Sequence, residues 1–277
     1  MLERNKPGVD GLRKLTPSSD WGGSKHGDIR PLASLHIPYK HMIGVVVPAH
    51  NEQDVLVECI DCIFHAARDV RLVAETVELV VVADSCTDAT SVLAAQAGAT
   101  VLTVEARNVG AARAAGAEHL LARGARWLAF TDADTLVSPG WLAEQLALEA
   151  DAVCGTVGIE DWSPHGEHAD LLRSHFAQTY FDVDAHRHVH GANLGVSAAA
   201  YRRAGGFDHL SCSEDVELVS ALEACGARIA WSCRPRVTTS ARRVARAPGG
   251  FADALLKAVA QRLAAAAPHR PSLGTSS

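Results

Sequence analysis

From residue 42 onward, short runs of β-branched residues alternate with longer stretches of helical composition. The order is MIGVVVP, DVLVECIDCIFHAARDV, VELVVVAD, ATSVLAAQAGA, TVLTVE, VGAARAAGAEHLLARG and RWLAFTD. Continuous apolar strands separated by helices predict a parallel sheet covered on both faces and joined by right-handed crossovers. The fold class expected is α/β, Rossmann-like, with a mixed, mainly parallel central sheet flanked by helices. In such sheets ligands bind beyond the carboxyl ends of the strands, and polar residues fall at those ends: His50, Asn51 and Glu52 after the first strand, Asp84 and Ser85 after the second, and Asp132 and Asp134 after the fourth. After residue 150 the order changes to a strand DAVCGTVGI, a polar stretch, a helical LLRSHFAQTYFDV and a histidine-rich segment, and this half is expected to complete the site.

Residues 1–41 mix Pro, Gly, Ser and charge without a sustained period and read as a mobile lead-in. Residues 42–246 read as one domain, its halves at 42–135 and 136–246, and residues 247–277 as a C-terminal helix and a disordered tail. The chain of 277 residues is 48% hydrophobic and 21% charged, ordinary values for a globular protein and too apolar for bulk disorder. Its 26 basic and 32 acidic residues give a net charge of -6 without a long basic run, which argues against nucleic acid as a partner. Seven cysteines scattered through strands and helices do not form the framework of a small secreted domain, so a reducing cytoplasm is expected. Cys59 and Cys62 form a CxxC whose spacing also matches one apolar helix face, and no second pair completes a zinc site. No secretory signal is apparent at the N-terminus. The C-terminal run FADALLKAVAQRLAAAA is interrupted by Lys257 and Arg262, so it suits peripheral membrane contact and not a span.

The strings at the strand ends carry chemistry. In WLAFTDADT, Asp132 and Asp134 follow a buried strand with one residue between them. Where the strand turns, both carboxylates can converge on a cation, and hard oxygen ligands favour Mg2+ or Mn2+ with positions left for phosphate oxygens. In VVVPAHNE, Pro48 ends a strand and polar groups able to bind a base or ribose follow, with Asn51 alternatively a helix cap. Asp84 suits a base or ribose contact, and Asp88 a structural role. Asn108 and Gly110 turn into a helix whose first turn holds Arg113; a helix N-terminus with a guanidinium can neutralise a diphosphate, against the alternative of a solvated arginine. No GxGxxG follows the first strand, which argues against a dinucleotide-binding domain. In SEDVELVSALEACG, Ser213 or its loop caps a helix with Glu214 and Asp215 in the first turn, where they either complement the helix dipole or provide a general base. His186, His188 and His190 alternate as strand neighbours would; a polar strand face is the default and metal binding the alternative, with His190 the best candidate. Arg234, Arg236, Arg242, Arg243 and Arg246 form a basic patch, by default a solvated face.

Taken together, VVVPAHNE, VVVADSCTD, NVGAARAAG, TDADT, GGFD and SEDVEL, in order over residues 43–240, resemble the family 2 glycosyltransferases of GT-A fold. The resemblance implies transfer of a sugar from a UDP- or GDP-linked donor to an acceptor hydroxyl with inversion, with 42–135 the nucleotide-binding half and 136–246 the acceptor half. It implies that Ala49, Asn51, Glu52 and Asp84, with Pro48 in the same string, hold the nucleoside and that Arg113 lies near it. Asp132 would meet ribose or metal, Asp134 would bind Mg2+ or Mn2+, Asp215 would be the base and Glu214 its neighbour. The sequence departs from the pattern after the last core strand. There RVTTSARR offers Thr238, Thr239 and Ser240 where many relatives place a metal-binding histidine, so the third protein ligand stays open. No QxxRW-like string occurs, which favours single addition over processive synthesis. Two other classes compete: a catalytically silent nucleotide-sugar-binding or scaffold protein, disfavoured by the intact acidic sites, and a nucleotidyltransferase, which needs a glycine-rich basic loop that VVVPAHNE does not provide.

Overall fold

The computed structural model describes residues 41–210 and 212–243, together with Leu256, Lys257 and Ala260. The expectations for the lead-in and for most of the C-terminal tail lie outside the described residues. Strand β1 (His41–Ala49), helix α1 (Leu56–Ala66), β2 (Glu75–Asp84), α2 (Thr90–Gln96), β3 (Thr100–Val104), α3 (Val109–Ala122) and β4 (Ala125–Phe130) follow the alternation of the sequence. The second half comprises β5 (Thr135–Val137), α4 (Trp141–Ala147), β6 (Ala152–Gly158), α5 (Ala169–Thr179), β7 (Leu194–Ser197), α6 (Ala198–Ala204), α7 (Glu214–Ala224) and β8 (Ile229–Thr239). All eight strands form one mixed sheet in the order β3-β2-β1-β4-β7-β6-β8-β5. The first four are parallel, whereas β7 runs antiparallel to both β4 and β6.

The apolar runs are continuous because both faces of the sheet are covered. In β1, Ile43, Val45, Val47 and Ala49 face a cluster built with Leu56, Cys59, Ile60 and Ile63 of α1 and with Trp141 of α4. Val46 faces the opposite way, into a cluster with Ala112, Ala117 and Leu120 of α3, Leu218 and Leu222 of α7, and Phe130 of β4. Full burial of each larger side chain contributes roughly 1.5–3 kcal/mol, so the period-two division of β1 anchors helices on both sides at once. Cys59 belongs to this core, where its thiol donates to the Asp132 carbonyl oxygen at 3.4 Å, and burial pushes its pKa well above the ordinary thiol value. The seven cysteines are free thiols.

Two local expectations are corrected, and a third, Ser213 as the N-cap of α7, holds in position. Asn51 does not cap α1: the N-cap position is Val55, and Asn51 adopts φ 53° with its side-chain oxygen accepting the Thr87 N–H at 2.8 Å. Ser213 holds the N-cap position of α7 without a side-chain capping bond. The 186–190 run forms no strand; its rings stack, with His186 and His188 5.4 Å apart and Tyr180 and His188 4.0 Å apart.

Asn193, fully buried just before β7, ties the second half together. Its side-chain oxygen accepts the Trp141 indole N–H at 2.8 Å, and its amide donates to the carbonyls of Thr156 at 2.7 Å and Pro235 at 2.8 Å. Asn193→Ala strands one buried donor and two buried acceptors, each costing about 1–3 kcal/mol. The variant is expected to lose roughly 3 kcal/mol or more in urea unfolding, and a loss below about 1 kcal/mol contradicts this account.

Candidate active site

The carboxyl ends of β1, β2 and β4 place the expected residues along one edge of the sheet. The β1–β4 ladder stops at Val46 and Phe130, so Pro48, which has no N–H to donate, sits where β1 keeps a strand neighbour only on the β2 side. Beyond it, two turns are stitched together: Glu52 N–H donates to Thr90 Oγ1 at 2.8 Å, and Cys86 Sγ donates to the Ala49 carbonyl at 3.3 Å. His50 Nδ1 donates to the Asp84 carbonyl at 2.7 Å. Asp88 is structural, as expected, accepting from the backbone N–H of Thr90 at 3.0 Å and from its hydroxyl at 2.6 Å.

Asp84 organises the entry to α3. Its Oδ1 accepts the N–H groups of Ala106 and Arg107, each at 2.8 Å, and the Ser85 hydroxyl at 2.9 Å; its Oδ2 accepts the Asn108 N–H at 2.8 Å. Any ligand contact by this carboxylate therefore falls to Oδ2. Burial pushes its pKa upward, but the N–H groups of Arg107 and Asn108, the Ser85 hydroxyl and the Ala106 N–H outweigh that and hold it below the ordinary value. Asn108 in turn caps α3, its side-chain oxygen accepting the Ala111 N–H at 2.8 Å.

Arg113, one turn further on, is buried and not solvated. Its NH2 donates to Asp132 Oδ1 at 2.5 Å and its NH1 to Glu214 Oε1, so it joins the end of β4 to the start of α7. The guanidinium carbon stands 5.9 Å from the ring centre of Phe207, in the GGFD string. Two glycines make room for this arrangement. A Cβ on Gly191 would collide with the Arg113 guanidinium, and one on Gly110 would collide with the Asp208 carbonyl oxygen and lie 3.2 Å from Glu214.

The acidic pair on α7 divides. Glu214 is buried against Arg113; burial pushes its pKa up, Arg113 opposes this, and Asp215 adds to it. Asp215 is only half-buried, with Oδ2 accepting the Gly191 N–H at 2.7 Å and Oδ1 the Val216 N–H at 2.8 Å. His190 adjoins that contact. Burial lowers its pKa to about 4, so it is neutral at physiological pH and its Nε2 can accept from the Tyr180 hydroxyl at 3.0 Å.

Asp134 is buried at the other side of Asp132. Burial first, then the neighbouring Asp132 and Glu52, push its pKa up to about 6 against the opposing pull of Arg242. Arg242 is the residue whose place the sequence did not reveal: its NH1 reaches Glu52 Oε1 at 2.7 Å and its Nε reaches Asp134 Oδ2 at 3.2 Å. The basic patch largely dissolves into ion pairs, since Arg234 pairs with Glu144 and Arg236 with Asp182, while Arg246 lies outside the described residues. Among the described residues no group of three or more His, Cys, Asp or Glu side chains is arranged to hold a metal ion. Asp132 and Asp134 offer two hard carboxylates, and the histidine run adds no ligand set.

Comparisons with known proteins establish the family and the fold. The profile of Glycosyl transferase family 2 matches residues 44–204, more than half of the chain, and the chain belongs to that family. Solved structures with the same fold include the mannosyltransferase PcManGT from Pyrobaculum calidifontis in complex with GDP-Man and Mn2+, at 20% identity and a TM-score of 0.55. That match covers 80% of this chain and 61% of the mannosyltransferase, so this chain spans less than two thirds of it. S. aureus TarS 1-349 in complex with UDP-GlcNAc matches at 14% identity and a TM-score of 0.55, over 82% of this chain and 68% of TarS. A mycobacterial protein matches at 20% identity and a TM-score of 0.52, over 80% of this chain and 74% of its own. No curated protein sequence matches the chain. The architecture is the GT-A fold.

Asp84 supplies a pH test of this geometry. Because its folded pKa lies below the ordinary 3.8, its contribution is complete above that value and is lost as the pH falls through the folded value. Asp84→Asn is expected to destabilise the protein at neutral pH by about 1–3 kcal/mol and to flatten the loss of stability below about pH 4. Urea unfolding across an acid pH series checks this; parallel curves for the two proteins contradict it.

Proposed function

We propose that this protein is a metal-dependent inverting glycosyltransferase that adds a single sugar from a UDP- or GDP-sugar to an acceptor hydroxyl. The observation that carries the reading is the Arg113 bridge, which fixes Asp132 on the donor side and the Glu214–Asp215 turn on the acceptor side to one guanidinium. The UDP- and GDP-sugars held by the two similar structures motivate the donor class. The missing QxxRW-like string motivates single addition.

Pro48, Ala49 and Asp84 at the carboxyl ends of β1 and β2, with Asn51 and Glu52 in the turn beyond β1, receive the nucleoside, with Arg113 and Asp132 beside it. Asp132 and Asp134 would hold Mg2+ or Mn2+. The donor set fits such an ion: the ligands are hard carboxylate oxygens, and burial raises the pKa of Asp134 even with the Arg242 guanidinium beside it. A bound cation stabilises the charge of the departing nucleoside diphosphate. Asp215, oriented by the Gly191 N–H, takes the proton of the acceptor hydroxyl while that oxygen bonds to the anomeric carbon and the bond to the diphosphate oxygen breaks. Attack from the face opposite the leaving group inverts that carbon. Glu214, committed to Arg113, is a positioning residue and keeps the base's turn in place. Among the described residues no helix is long and apolar enough to cross a membrane.

Asp134→Ala is expected to lower metal-dependent turnover by roughly 10²–10³-fold, read as nucleoside diphosphate release. Asp215→Asn is expected to lower transfer by about 10²–10⁴-fold while its nucleotide affinity in titration calorimetry stays that of the parent. Unchanged transfer in either purified variant overturns the role given to that residue.

A further inference from the structure

Arg242 lies just beyond β8, and its guanidinium spans two buried acids from different elements, Glu52 after β1 and Asp134 after β4. The side chains of Glu52 and Asp134 are 6% and 9% exposed, while that of Arg242 is 31% exposed. Buried carboxylates demand a countercharge, and here an arginine supplies it at the position facing Asp134 Oδ2. The neighbouring Arg113 is already divided between Asp132 and Glu214, so two guanidiniums share four acids. Thr239, where a third metal ligand was sought, is occupied with the Thr135 hydroxyl at 2.9 Å.

A guanidinium and a divalent cation against one carboxylate oppose each other, because their like charges repel at such separations in a partly desolvated site. We propose that Arg242 is the built-in cation of the donor-free site: it neutralises Asp134, and a divalent ion binding at Asp134 must displace it. The inference rests on the metal reading of Asp132 and Asp134 given above. Its consequence is coupling. A divalent ion alone binds weakly because it must expel a guanidinium, whereas a nucleoside diphosphate gives the displaced guanidinium another anion to face. Nucleotide therefore raises metal affinity, and by linkage metal raises nucleotide affinity by the same factor.

The test is the Kd of Mn2+, read from the electron paramagnetic resonance signal of the free ion, with and without UDP or GDP. Without nucleotide, Arg242→Gln is expected to bind Mn2+ about tenfold or more tighter than the parent protein, a shift on the scale of common coupling between sites. The gain from adding nucleotide shrinks in that variant. Arg242→Lys keeps the charge but not the two-pronged reach; it gives a smaller tightening and serves if the glutamine variant does not fold. Adding Asp134→Asn to Arg242→Gln abolishes the gain. Equal or weaker Mn2+ binding by the Arg242 variants overturns the proposal, as does a gain that survives Asp134→Asn. If Asp134→Asn alone removes nucleotide-supported Mn2+ binding while Arg242→Gln changes nothing, the displacement fails and the metal reading stands. Absence of Mn2+ binding in every protein, with or without nucleotide, overturns both.

Discussion

A single buried guanidinium, that of Arg113, joins the two halves of this molecule. It projects from the first turns of α3, takes Asp132 at the end of β4 with one nitrogen and Glu214 at the start of α7 with another, and rests near the ring of Phe207. A buried arginine without such partners would be prohibitively costly, so the elements that carry its partners are held to its position. Much of the local sequence follows from that demand. Gly191 lies where a Cβ would strike the guanidinium, Gly110 lets α3 approach the loop before α7, and the Asn108 amide donates to the carbonyl of Leu210 at 2.8 Å, closing the same gap.

The charge pattern explains how four similar carboxylates differ. Glu214 and Asp132 share Arg113, but Asp132 keeps a 35% exposed side chain and Glu214 is sealed at 6%. Asp134 and Glu52 share Arg242 and lie deeper than Asp132. Asp215 stands apart, bonded through backbone N–H groups and left half-open to a reactant. Adjacent positions in the first turn of α7 thus hold one acid sealed against Arg113 and the other half-exposed on backbone N–H groups.

The βαβ alternation was legible because continuous apolar strands covered on both faces leave few sheet arrangements, and Asp84, Asp132 and Asp134 fell on the expected edge. The reversal of β7 was not legible, since LGVS is short and gives the same apolar pattern in either direction. Asn193 escaped notice because a single asparagine in HGAN reads as a turn residue; its three buried bonds come from α4, β6 and β8, far apart in sequence. The histidine run misled for a related reason. Alternation suggested a strand, yet the segment is not extended into one and its rings stack instead, His188 on Tyr180 and His186 on His188. Arg242 looked like one of several solvated arginines, because its acids lie almost two hundred positions and about a hundred positions earlier in the chain. Asn193 and Arg242 are long-range pairings of polar groups, which periodicity does not encode.

The central claim is that these acids and guanidiniums serve transfer from a nucleotide-sugar with a divalent cation at Asp132 and Asp134. The most direct measurement is a mass-spectrometric donor screen that reads nucleoside diphosphate release from UDP-, GDP- and dTDP-sugars, each with Mn2+ and with a chelator. The account predicts release from a UDP- or GDP-sugar that is abolished by chelation and restored by added Mn2+. Release that persists undiminished in the chelator, or no release from any donor, would contradict it.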